Sequence, residues 1–184
     1  QNLIDYSFGL KYIYNLHPNS LSNIISSEME LQENKLDRNY DFSSIVIKYS
    51  KTLEQEIYLF MKTLLKFLIE KNQRIENVSY SVQSKNYTVK DIFTNKPNFG
   101  TYKFILKEDI VKTVMESNLD KVLLFFIQKK LVAYINFIQE IRNETVHGRP
   151  ATLNEANSVR AKILGVAQES ILIEIVKYKK MIEK

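Results

Sequence analysis

The chain has 184 residues, 45% hydrophobic and 26% charged, a composition that suits one soluble globular domain with a substantial core. It contains no cysteine and two histidines, at positions 17 and 147, which excludes disulfides and cysteine-ligated metals and disfavours zinc, while carboxylates leave other metals open. A net charge of +5 is compatible with a nucleic-acid partner without identifying one.

Four glycines and three prolines argue for long helices rather than a turn-rich β fold. No run reads as long and apolar enough to span a bilayer, because VLLFFI (122–127) soon meets Gln128, Lys129 and Lys130. With no signal peptide, a cytoplasmic protein without a membrane partner is expected. The first residue is glutamine, as expected of a chain processed or excised from a longer protein.

Residues 1–40 hold five acids against three bases, so the rest of the chain carries all of the positive excess. LHPNS (16–20) suggests an irregular lead-in, or a linker from an upstream region, with a short helix from Ser20 to about Leu31. From Asp41 to about Asn72 the apolar residues Phe42, Val46, Tyr49, Leu53, Ile57, Phe60, Leu64 and Leu68 step by three or four, which predicts a long amphipathic helix. Residues 74–100 break that period. Val78, Tyr80 and Val82 alternate with Ser79, Ser81 and Gln83, and Tyr87 and Val89 alternate beyond a turn at Lys85–Asn86, so a small hairpin or structured loop is expected.

A shorter helix follows over 101–116. Ser117, with Asp120 three residues on, has the spacing of a capping box for a helix running to about His147. That helix is apolar nearly all round and is expected to be the central, most buried one. Thr152 with Glu155 opens a last helix that runs to the basic tail KYKKMIEK. The sum is an all-α helical bundle of about four to five main helices with a small non-helical or hairpin insert. A lead-in covers 1–40 and a helical domain covers 41–184.

The chemistry-bearing stretch is IRNETVHGRP (141–150). Gly148 and Pro150 predict the helix end, which puts His147 in the last turn, where the helix dipole favours imidazolium. On a regular helix Asn143 and His147 are roughly 40° apart, whereas Arg142 and His147 are roughly 140° apart. Arg142 and His147 therefore meet at one ligand only if the last turn unwinds or a second copy supplies one of them. An imidazole moves protons near neutral pH, an arginine fork grips phosphate oxygens, and a carboxamide orients either partner. That set suffices for metal-free cleavage of RNA, whose 2′-hydroxyl is an internal nucleophile. It equally suits a solvated helix end where Arg and His cap carbonyls.

IRNETVHG, followed by the capped TLNEANSVRAKIL (152–164), resembles the HEPN superfamily, whose signature is Arg, four to six residues, then His, with a polar residue directly after the Arg. KYSKTLEQEIYLFMKTLL (48–65) is similar in character to the long early helix of such domains. The resemblance covers 41–184 and is specific only at the motif. It implies a helical homodimer with a composite cleft and metal-independent endoribonuclease activity on single-stranded RNA, without a cofactor, in a toxin, abortive-infection or CRISPR-type defence protein. An antitoxin or an upstream sensory domain would be the regulating partner.

In that reading His147 is the acid or base, Arg142 holds the scissile phosphate, and Asn143 positions His147 or the ribose. Arg149 and Arg160 track the RNA backbone, although a solvated helix face suits Arg160 better, and Glu144 is structural or solvated. His17 reads as a surface or turn residue, and Tyr80 and Tyr87 as aromatics packed on their own hairpin rather than on bases. The rival reading is a catalytically silent helical module for dimerisation or partner binding.

Overall fold

The computed structural model describes residues 14–82, 84–146 and 149–183, without the side chains of 144–146. The chain folds into two compact units. The first comprises the segment up to Ile57 with Ile138–Lys177, and the second Tyr58–Phe137 with the segment from Tyr178.

In the first unit, helix α1 spans Pro18–Asn34. Proline at N1 has a preset φ and no amide to waste, and the His17 N-cap ring accepts from the Asn19 amide through Nδ1 at 3.1 Å. The His17 amide in turn donates to Glu56 Oε1 at 2.9 Å, which places a carboxylate at the positive end of α1. The helix is longer at both ends than expected. Its inward positions are Ser20, Ile24, Ser27 and Leu31, so two serines dilute the apolar stripe that sequence periodicity relies on.

Helix α2 spans Ser43–Lys71 as expected, its residues up to Ile57 belonging to this unit and the rest to the second, and it is deeply buried: Ile45, Tyr49, Leu53 and Ile57 are fully inaccessible. Helix α7 (Leu153–Leu164, numbered in chain order after the helices of the second unit) opens with the expected capping box between Thr152 and Glu155. It does not continue to the tail. Gly165, in left-handed backbone (φ 82°), closes it by donating to Ala161 O at 2.9 Å, and α8 starts afresh at Ile171 and runs to Ile182. Ser170 Oγ accepts from the Ile173 amide and donates to Ile163 O, satisfying groups at both helix ends.

Three helices of this unit are joined by a polar clasp. Arg160 of α7 donates through Nε (2.6 Å) and Nη2 (2.8 Å) to the two oxygens of Glu28 on α1, and the buried Tyr49 hydroxyl of α2 donates to the same carboxylate.

In the second unit, strands β1 (Ser79–Val82) and β2 (Lys85–Thr88) form an antiparallel hairpin that pairs Tyr80 with Tyr87. Lys85 and Asn86 lie within β2, not in a turn. The chain reverses between Val82 and Lys85, with Ser84 in left-handed backbone (φ 64°). A two-residue reversal keeps the two tyrosines opposite each other, where they stack 5.7 Å apart. Val89 opens a 3-10 turn rather than extending the strand.

The helix expected over 101–116 is two helices, α3 (Thr101–Ile105) and α4 (Asp109–Asn118). Ser117 is inside α4, its hydroxyl donating to Thr113 O, and Asp120 alone caps the next helix through the Val122 and Leu123 amides. That helix is α5 (Lys121–Phe125), continued by a π-helical segment (Phe126–Leu131) into α6 (Val132–Val146). It is not buried all round: Leu123, Phe126, Ile127, Leu131, Ile135 and Ile138 face inward, while Val122 and Phe125 are more than half exposed. Phe126 stacks on Tyr178 and meets Phe60 edge-on, all within this unit. The run Lys121–Asn143, with a mean hydropathy of 1.3, is long and apolar enough to cross a membrane by length and composition, which the interrupted VLLFFI did not suggest. The core helix of a soluble protein passes the same test.

Candidate functional site

Arg142 and Asn143 are exposed on the penultimate turn of α6. The Arg142 guanidinium donates through Nη1 to Glu54 Oε1 at 2.8 Å, with 56% of the Arg142 side chain exposed and only 14% of Glu54. Glu54 is on α2, 88 positions earlier, and sequence reasoning missed it. The available signal is weak, because two carboxylates, Glu54 and Glu56, lie between the inward Leu53 and Ile57. Glu54 holds one amino group of the fork while more than half of the Arg142 side chain stays exposed, which suits a group that meets phosphate oxygens. His147 and Gly148 lie outside the described residues, as does the Glu144 side chain, so the angle between Arg142 and His147 keeps its sequence-based value.

Arg149 pairs with Glu155 by both amino groups, Nη1 at 3.2 Å to Oε2 and Nη2 to Oε1. Glu155 also accepts from the Thr152 amide (2.8 Å) and hydroxyl (2.8 Å). The Arg149 contact first, then the two Thr152 bonds, depress the Glu155 carboxyl to about 2. Arg149 is thus tied to the capping box that opens α7, yet 66% of its side chain stays exposed.

Arg160 departs from both readings the sequence offered. Its side chain is 14% exposed and its fork is filled by Glu28, so it neither lies on a solvated face nor is free to follow an RNA backbone. The spacing of a helix face does not reveal that a carboxylate 132 positions away is packed against it.

The segment leaving this site is pinned. The Ala151 amide donates to Asp41 Oδ1 and Ser43 Oγ, each at 3.0 Å, and Ala151 O accepts from the Phe42 amide at 3.0 Å. His17 is the N-cap of α1, and Tyr80 and Tyr87 pack on each other. No group of three or more acidic or histidine side chains is placed to hold a metal among the described residues.

Charge divides sharply between the units. The first holds ten Lys and Arg against thirteen Asp and Glu, a net −3; the second holds sixteen against eight, a net +8. The motif belongs to the acidic unit, and its Arg142 and the neighbouring Arg149 and Arg160 each have a carboxylate partner. Comparison with known protein families, with characterised protein sequences and with solved structures returns no match. The HEPN resemblance therefore rests on the motif and its helical setting.

Proposed function

We propose that the protein is a metal-independent endoribonuclease of HEPN type, cleaving single-stranded RNA as a homodimer in the cytoplasm, within a defence or toxin–antitoxin setting. The observation that carries the reading is the exposed Arg142 fork, backed by the shielded Glu54, with Asn143 beside it four residues before His147. Arg142 binds the scissile phosphate. An imidazole at position 147 removes the 2′-hydroxyl proton, the 2′-oxygen bonds to phosphorus, and the 5′-oxygen leaves with a proton from a second imidazole. The products are a 2′,3′-cyclic phosphate and a free 5′-hydroxyl. Each copy supplies one such histidine. General acid–base groups contribute ~10²–10⁴-fold each.

The rival reading, a silent dimerisation or docking module, is favoured by one observation: Arg142, Arg149 and Arg160 all face carboxylates in an acidic unit.

Cleavage of a mixed-sequence, end-labelled single-stranded RNA in the presence of EDTA separates the two. The nuclease reading expects cutting by the wild type, and at least ~10²-fold slower cutting by both His147→Ala and Arg142→Ala. Equal rates in all three, or no cutting at any pH, leave the docking module standing.

A further inference from the structure

A cavity of about 320 Å³ opens between the turn after α1 and the segment that leads into α7. Its walls come from Lys35, residues 37–40, Phe42 and residues 150–153, all in the first unit. The size matches a small-molecule pocket, typically ~300–1,000 Å³. Pro150 and Ala151, in its wall, follow His147 by three and four positions in the chain.

The walls are tied together by hydrogen bonds. Phe42 and Ala151 are bound backbone to backbone, and Asp41 and Ser43 both hold the Ala151 amide. The Tyr40 ring is fixed at its hydroxyl, which donates to Glu30 Oε1 at 2.8 Å, and it meets Phe42 edge-on at 5.0 Å. The Asp37 carboxylate, the one acid in the lining, accepts from the Asn39 amide at 2.9 Å.

The lining is therefore of two kinds. Tyr40, Pro150 and Leu153 offer flat or apolar surface over the buried Phe42, while Lys35, whose Nζ donates to Gln32 Oε1 at 2.7 Å, Arg38 and Asn39 are exposed polar residues. An aromatic and proline wall suits a planar heterocycle, and two cations beside it suit the phosphate attached to that heterocycle. Two cations against one engaged carboxylate also stand out in a unit whose net charge is −3.

We propose that this cavity binds a nucleotide, with its base against Tyr40 and Pro150, its phosphate on Lys35 and Arg38, and Asn39 at the base edge. As the seat of one nucleotide of an RNA strand it rests on the ribonuclease reading. A free mononucleotide presents the same chemistry, and the two sources are separable.

The test is fluorescence anisotropy on the full chain with a labelled mixed-sequence single-stranded RNA, the same sequence as DNA, and AMP and UMP as competitors. Arg142→Ala and the double variant Lys35→Ala/Arg38→Ala are measured beside the wild type, with thermal midpoints recorded. The double variant should weaken RNA binding about tenfold or more. Its slope of log affinity against log salt should fall by about 0.7, the equivalent of one phosphate neutralised on a single strand. Its thermal midpoint should not move.

Competition by AMP or UMP at micromolar levels, lost in the double variant, would assign the pocket to a free nucleotide. RNA affinity and salt slope equal to wild type in the double variant, with no mononucleotide bound, would overturn the proposal, as would absence of any binding by the wild type. Strand binding that needs Lys35 and Arg38, without cutting, would leave the pocket and sink the ribonuclease. Cutting that needs Arg142 but not Lys35 or Arg38 would do the reverse.

Discussion

Arg142 and Arg160 are both arginines paired with glutamates, yet they should respond unequally to truncation. Arg142 is more than half exposed, and an exposed ion pair contributes about 0–1 kcal/mol. Arg142→Ala leaves the shielded Glu54 without this cation, so it should lower the midpoint of chemical denaturation modestly and by less than Arg160→Ala, and lost cutting is read beside that midpoint. Arg160→Ala leaves the Glu28 carboxylate without its cation between three helices, with only the Tyr49 hydroxyl still donating to it, and breaking such a pair costs about 3–5 kcal/mol. Equal losses in the two variants would contradict this division.

Glu155 adds a pH dependence. Its folded pKa is held near 2 by Arg149 and Thr152, below the ordinary value of 4.5. A depressed carboxyl stabilises the fold above its unfolded pKa, and that stabilisation is lost as pH falls from about 4.5 toward 2. The thermal midpoint of Glu155→Gln should fall less than that of the wild type between pH 5 and pH 2.5. Parallel curves would mean that the capping box contributes nothing through charge. Arg142 and Asn143 were legible in the sequence because chemistry and spacing coincide there. Glu54 and Glu28 were not, because pairing across 88 and 132 positions leaves no local periodicity.

Among the elements, those written in local chemistry were legible: the three-and-four stepping of α2, the Thr152–Glu155 box, and the alternation around Tyr80 and Tyr87. The errors arose where a local signal had two solutions. Ser117 and Asp120 have capping-box spacing, but Ser117 bonds back to Thr113 and α4 runs through it. The apolar periodicity from 152 to 178 is continuous in phase, yet Gly165 interrupts it. A Cβ on Gly165 would lie 2.7 Å from Ser170 Cβ and 2.8 Å from its backbone nitrogen. Gly165→Ala should thus cost about 1–3 kcal/mol, read as a lower denaturation midpoint with an unchanged m-value. A neutral substitution would show that the α7–α8 corner adapts freely.

At the scale of the whole molecule, the sequence conveyed the all-α class and the location of positive charge outside residues 1–40. It did not convey that the excess gathers in the second unit, because that unit takes its residues from two separate stretches. Discontinuity of this kind governs how the chain can be made. Residues up to Ile57 leave the ribosome well before their partners in 138–177, with 80 residues of the other unit in between. At roughly 5–20 residues per second, the wait is about 4–16 s. The apolar faces of α1 and the first half of α2 stand open throughout that interval. A stop anywhere before residue 138 therefore yields a product in which neither unit has all of its pieces.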